Sequence, residues 1–359
     1  MENSQNAGQK IRVCYVTSPR ELQDEGVGHD ARIVPTLEYL HNLMKTNPLY
    51  ANVEIAAVFV DDSGREQGRQ ALPQENAAYA YLKNFCAQNG IAFHTEESKG
   101  WRGMPLMVEQ GNTHVKNSAK HEAKVQYEEK MLSFMRENSI DVIFSDSYTV
   151  LFNSVMLDEK RGYPGLILNI HPGLANEVPG PRPTLDALGR SNFFTDNAAE
   201  RKQLQAELAA GAATLSIRRN GHDASLKNVF DKMGVEYVMT DTHTHVKVAP
   251  NIFRQTTGAT FHVVDEQVDH GPVILMSSGT PIRTGCTEHE LRIDNYHTKN
   301  NTVGRGFPMF LKKQTTQELI TENRMRNRAF NGEMHPVTRW KVLANETKRD
   351  ERPVIAMPR

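Results

Sequence analysis

Along the first half of the chain, short apolar runs alternate with longer stretches in which apolar positions recur every three or four residues. The runs "IRVCYVTS" (11–18), "VEIAAVFVDD" (53–62), "IAFHT" (91–95), "DVIFSDSY" (141–148) and "GLILNIH" (165–171) carry few polar interruptions and many β-branched or aromatic residues. Strands buried on both faces, as in a parallel sheet, have this pattern. Between them, Leu37, Leu40 and Met44 predict a helix over 35–44 beginning at Pro35. A second is predicted over 76–90, closed by Gly90, and a third over 120–138, where Val125, Leu132 and Met135 share a face. Residues 96–118 show no period and predict a long loop. The alternation of strands and helices predicts an α/β fold: a mostly parallel twisted sheet flanked by helices.

The second half is less regular. "DNAAERKQLQAELAAG" (196–211) predicts a helix and "ATLSIRR" a strand, while "GATFHVVDE" (258–266) and "GPVILMSSGTPI" (271–282) predict two strands joined by a tight connection. The segment 311–359 has 11 Lys or Arg against 6 Asp or Glu and no long apolar run, which predicts a helix followed by an extended arm. A body of 1–285 with an insertion at about 190–250, and a carboxy-terminal segment of 286–359, is the division expected.

Composition changes this picture little, but it excludes several functions. The chain has 359 residues, 38% hydrophobic and 24% charged, with a formal net charge of −1. Nothing there draws it to nucleic acid or to a membrane. Three widely spaced cysteines suggest neither a disulfide framework nor a zinc ribbon, and no metal is expected. The polar start "MENSQNAGQKIR" lacks the apolar core of a signal peptide, so a cytoplasmic protein is expected.

The candidate chemistry lies in "LILNIHPGL" (166–174). Asn169 and His171 are two apart at the end of an apolar strand, so both side chains emerge on one face. Ligands of open α/β sheets bind beyond such strand ends. An amide can donate to an oxygen gaining negative charge, and an imidazole can exchange a proton; acyl or formyl transfer to an amine needs both services. A carboxylate near the imidazole would complete the set, and "VDHG" (268–271) offers one in a tight connection. The same pair would equally serve to cap a strand.

"LILNIHPG", followed by "TGATFHVVDEQVDHGPVIL" (257–275), resembles the folate-dependent formyltransferases, the glycinamide ribonucleotide formyltransferase family. Their pattern is Asn-x-His-Pro after an apolar strand, then Thr-Gly-x-(Thr/Ser)-x-His and, seven residues later, Asp followed by Gly. Here His262 and Asp269 keep that interval, with His270 intervening before Gly271. The resemblance covers residues 11–18 and 120–285, about half the chain, and implies a Rossmann-like formyltransferase fold. It implies that Asn169 holds the formyl oxygen, that His171 is general acid or base, and that Asp269 positions a water or keeps His171 in its useful charge state. His262 would line the same site on the substrate side. The implied formyl donor is 10-formyltetrahydrofolate, held by the loops containing Ser147, Tyr148, Thr149, Val150 and Leu151, and Asp265, Glu266 and Val268.

The chain departs from the family in three places. No Gly-x-Gly-Ser-Asn turn follows the first strand; "GVGHD" (26–30) lies away from it, which provides poorly for a ribonucleotide phosphate. The stretch after His-Pro, "GLANEVPGPRPTLDAL" (173–188), holds Arg182, a candidate anchor for a substrate carboxylate or an ordinary solvated side chain. The third is the insertion itself, where His243 and His245 share a strand face without a third ligand at a familiar spacing. These departures favour a small-molecule amine acceptor of the N5-hydroxyornithine type, used in siderophore synthesis. An amino-sugar nucleotide, glycinamide ribonucleotide, simple hydrolysis of the donor, and a non-catalytic binding protein are the alternatives. A homodimer is compatible with the carboxy-terminal segment.

Overall fold

Strands β1 (Ile11–Thr17), β2 (Val53–Asp61), β3 (Ala92–Glu96), β4 (Val142–Asp146) and β5 (Ile167–His171) are parallel. Strand β9 (Thr256–Val263) adds to β5 antiparallel, and β10 (Val273–Pro281) adds to β9 antiparallel. The resulting order is β10-β9-β5-β4-β1-β2-β3. This computed structural model describes residues 9–62, 68–98, 118–148, 155–175, 198–218, 236–247, 256–265, 271–282 and 287–331, together with positions 150, 152, 183, 184, 187 and 269. The expected loop at 96–118 falls largely outside them, as does the arm beyond 331.

The central strands are buried almost throughout, every residue of β4 included, which is why they read as continuous apolar runs. Helices α1 (Pro19–Asp24), α2 (Thr36–Thr46), α3 (Ala77–Asn89) and α4 (Ser118–Glu137) occupy the crossovers. The helices expected at 35–44, 76–90 and 120–138 are therefore present, and Gly90 ends α3 at φ 66°. At its carboxyl end the sheet carries a buried ion pair, with Arg20 2.9 Å from Asp62, and Arg20 also pairs with the more exposed Glu75.

The insertion holds α5 (Ala198–Ala209) and a separate antiparallel sheet of β6 (Thr214–Arg218), β7 (Tyr237–Met239) and β8 (His243–Lys247), in the order β6-β8-β7. A three-residue strand is too short to show alternation, so β7 has no signature in the sequence. His243 and His245 stack on β8 with ring centroids 6.2 Å apart.

The largest difference from the sequence reading is α6 (Glu288–Leu311), followed by α7 (Gln314–Phe330). No element was expected at 288–311, yet α6 has 24 residues and opens with a capping box between Thr287 and Glu290. Its buried side includes Asn295, Lys299, Asn300 and Thr302 among the apolar residues. Buried polar side chains erase the apolar period on which recognition of a helix depends. Phe307 of α6 stands 6.2 Å, centroid to centroid, from Phe144 and 6.1 Å from Phe261. Residues 288–330, set apart by the sequence reading, thus pack into the same core as β1–β5 and β9. No helix of the described residues is long and apolar enough to cross a membrane.

Candidate active site

Strand β5 delivers Asn169, partly exposed, and His171, 3% exposed, to the carboxyl end of the sheet. On the neighbouring antiparallel strand, His262 is in register with Asn169 and Thr260 with His171. Two residues of one motif and two of the other therefore meet as cross-strand pairs.

The hydrogen bonds orient each group. Asn169 Nδ2 lies 3.2 Å from His262 Nε2, and His262 Nδ1 lies 3.0 Å from the carbonyl oxygen of Val263. A carbonyl only accepts, so Nδ1 carries the proton of His262 and Nε2 accepts from the Asn169 amide. Asp269 Oδ2 stands 3.2 Å from His171 Nδ1, whereas its Oδ1 is 3.6 Å from His262 Nε2. The shorter approach is within hydrogen-bond reach and the longer is not, so the carboxylate serves His171 first. It holds the His171 proton on Nδ1 and puts the basic lone pair on Nε2. The side chains of His171, His262 and Asp269 are 4%, 3% and 9% exposed, so these interactions are little screened by water.

The surrounding motif residues hold this arrangement in place. Thr260 Oγ1 donates to the Gly173 carbonyl at 2.8 Å and accepts from the Ala175 amide at 3.0 Å, fixing the chain just after His171. Asp269 adopts φ 57°, a left-handed conformation that Asp and Asn tolerate better than most residues. Gly271 follows because a Cβ there would run into the carbonyl oxygen of Val263, where β9 and β10 close their hairpin. Asn295 of α6 donates to the carbonyls of Pro172, at 3.2 Å, and Gly258, at 2.8 Å. It ties both motifs to the helix.

Beside this group, at the end of β4, lies a second buried network. Lys299 Nζ is 2.5 Å from Asp146 and 3.2 Å from Glu25. Ser147 Oγ lies 2.7 Å from Glu25 Oε1, and Tyr15 donates to Asp146 at 2.7 Å. Burial alone would lower the Lys299 pKa, but Asp146 and Glu25 more than offset it and hold the ammonium above its ordinary value. Burial, then the charge of Asp146, pushes the Tyr15 phenol well up.

Of the residues expected to hold the donor, Ser147 has its hydroxyl in this network and its carbonyl accepting from the Ser18 amide at 3.2 Å. Tyr148 packs against Phe152, ring centroids 5.0 Å apart and planes tilted by 32°, and its hydroxyl is 3.0 Å from that of Tyr127. Val150 is buried and Asp265 partly exposed. Glu128 accepts from the amides of Val155, at 2.9 Å, and Met156, at 3.3 Å, securing the far end of this segment to α4. Thr149, Leu151, Glu266, Val268 and Arg182 lie outside the described residues. The sequence reading missed Glu25, Asn295 and Lys299, which belong to no motif; Asn295 and Lys299 are buried polar residues on α6, and Glu25 lies in the turn that follows α1.

No protein-family model matches the chain, and no curated protein matches it in sequence. Among solved structures it is similar to PvdF of pyoverdin biosynthesis, an N10-formyltetrahydrofolate-dependent formyltransferase, with TM-score 0.50, 18% identity, and coverage of 83% of this chain and 98% of that one. Phosphoribosylglycinamide formyltransferase from Bacillus halodurans gives TM-score 0.44, 16% identity and coverage of 84% and 96%. A formyltetrahydrofolate deformylase from Pseudomonas syringae gives 0.43, 14% and coverage of 83% and 60%. The likeness to PvdF establishes the fold: it is the formyltransferase fold that the two motifs implied.

Proposed function

We propose that the protein transfers a formyl group from 10-formyltetrahydrofolate to a small-molecule amine, an acceptor of the N5-hydroxyornithine type. The observation that carries this reading is the convergence of Asn169, His171 and Asp269, from two separated motifs, at one strand end. An amide donor, an imidazole with a fixed tautomer and a buried carboxylate are what such a reaction needs. Tyr148 and Val150 follow β4, and Asp265 follows β9, the two neighbours of β5 in the sheet.

The donor supplies the formyl carbon. Asn169 donates to the formyl oxygen as it gains negative charge when the amine nitrogen attacks. His171, through Nε2, takes the proton that the amine loses and returns it to the nitrogen that departs from the formyl carbon. Asp269 stabilises the imidazolium in the interval between these transfers. Burial keeps water from competing for the formyl group.

The test is donor consumption, followed by folate absorbance, with N5-hydroxyornithine, glycinamide ribonucleotide and an amino-sugar nucleotide. Turnover with hydroxyornithine that falls ~10²–10³-fold in Asn169→Ala is the expected result. Consumption that ignores every amine would replace transfer by hydrolysis.

A further inference from the structure

The antiparallel ladder between β5 and β9 ends at His171, which pairs with Thr260. The next residue, Pro172, has no amide hydrogen to extend it, while β9 runs on to Thr256. Just beyond the imidazole, backbone groups are paired by side chains instead of by a strand. Thr260 takes the Gly173 carbonyl and the Ala175 amide, and Asn295 of α6 takes the Pro172 carbonyl.

Asn295 commits all of its hydrogen-bonding groups to this junction. A carbonyl only accepts, so Nδ2 gives one hydrogen to Pro172 at 3.2 Å and the other to Gly258 at 2.8 Å. Its Oδ1 accepts from Thr280 Oγ1 at 2.8 Å. With that hydrogen spent, Thr280 accepts in turn from the Thr298 hydroxyl, 2.7 Å away. Asn295 and Thr280 are each 2% exposed. One amide thus joins the end of β5, the beginning of β9 and, through Thr280, β10. Its support is firm, because α6 lies against β9 and β10 and Phe307 further along it packs on Phe144 and Phe261.

The geometry of the reacting groups leaves little room for movement at this point. Asp269 is 3.2 Å from His171 and 3.6 Å from His262. A displacement of the β5 end by the difference between these lengths removes the preference of the carboxylate for His171. Two carbonyls held by one buried amide prevent that displacement.

We propose that Asn295 is a positioning residue for His171: it touches no reacting atom, but it pins the end of β5 so that His171 Nδ1 keeps its bond to Asp269. This deepens the formyltransferase reading and rests on it.

The experiment compares wild type, Asn295→Ala and Thr280→Val, the last keeping the amide and removing the hydroxyl that orients it. Thermal denaturation reports whether each variant is folded. Two readouts separate positioning from a merely structural role. The first is the imidazole Nδ1 proton of His171, observed by nuclear magnetic resonance of histidine-labelled protein and assigned by its loss in Asp269→Asn. It should be present in wild type and lost in folded Asn295→Ala, while the His262 proton held by the Val263 carbonyl persists. The second is donor consumption with N5-hydroxyornithine, glycinamide ribonucleotide and an amino-sugar nucleotide. A small misplacement of a reacting group costs up to ~10²-fold, so kcat should fall by about that factor in Asn295→Ala with KM for the donor unchanged. Thr280→Val should fall less, and it keeps the test open if Asn295→Ala does not fold. In an Asp269→Asn background the Asn295 substitution should cost little further, because two changes acting through one contact are not additive. Folded variants that retain the His171 proton and wild-type kcat, or a full additive loss in the double variant, overturn the proposal. Loss of the proton in Asn295→Ala together with a wild type that transfers to no amine would uphold the positioning of His171 and refute formyl transfer; transfer by a folded variant at the wild-type rate would do the reverse.

Discussion

Replacing Asp269 by Asn removes one charge and little else, because Asn also tolerates the φ of 57° at this position. The carboxylate stands 3.2 Å from His171 Nδ1. At an effective dielectric constant of about 20, a carboxylate and an imidazolium at that distance attract by ~5 kcal/mol. The amide oxygen that takes its place still accepts a hydrogen bond, worth ~1 kcal/mol. Up to ~4 kcal/mol of stabilisation of charged His171 is therefore lost when the imidazole holds the transferred proton. At 1.36 kcal/mol per decade this is ~10³ in kcat. Because the carboxylate acts on the proton and not on either substrate, KM for the formyl donor should change little. The assay is initial-rate donor consumption with saturating amine, alongside thermal denaturation to establish that the variant is folded. Asp269→Ala should lose a comparable factor in kcat and a further ~1 kcal/mol of stability, since alanine in the left-handed region is strained. A folded Asp269→Asn enzyme within tenfold of wild-type kcat would refute the assigned role of the carboxylate.

Three further predictions follow from the same geometry. Asn169→Ala removes the amide aimed at the formyl oxygen and should cost ~10²–10³ in kcat, measured with the donor at saturation. Gly271→Ala puts a methyl group against the Val263 carbonyl; it should cost ~1–3 kcal/mol in urea unfolding and displace Asp269, so that kcat falls as well. Lys299→Met leaves Asp146 and Glu25 without their ammonium and should cost ~3–5 kcal/mol. Since the folded pKa of Lys299 is raised, that stability is fully present below the unfolded lysine value of ~10.4 and is lost as pH rises through the higher folded value. Urea midpoints of wild type and variant should therefore converge only in strongly alkaline solution.

Local pattern is enough to read the parallel strands, the helices between them and the pairing of Asn169 with His171. Burial on both faces makes strands such as β4 continuously apolar, and a two-residue interval puts two side chains on one face whatever surrounds them. The seven-residue interval from His262 to Asp269 is likewise local, being set by a hairpin turn. Which histidine the carboxylate serves is decided by its distances to His171 on β5 and to His262 on β9, 3.2 Å against 3.6 Å, which no spacing in the chain encodes. Only the folded chain brings Glu25, Asp146 and Lys299 together, from positions up to 274 residues apart. Helix α6 was invisible for the same reason: several of its inward side chains, Asn295, Lys299, Asn300 and Thr302, are polar and interrupt the apolar period. Apolar burial follows a period that one segment can display, whereas a buried polar contact depends on its partner, and only the tertiary structure supplies it.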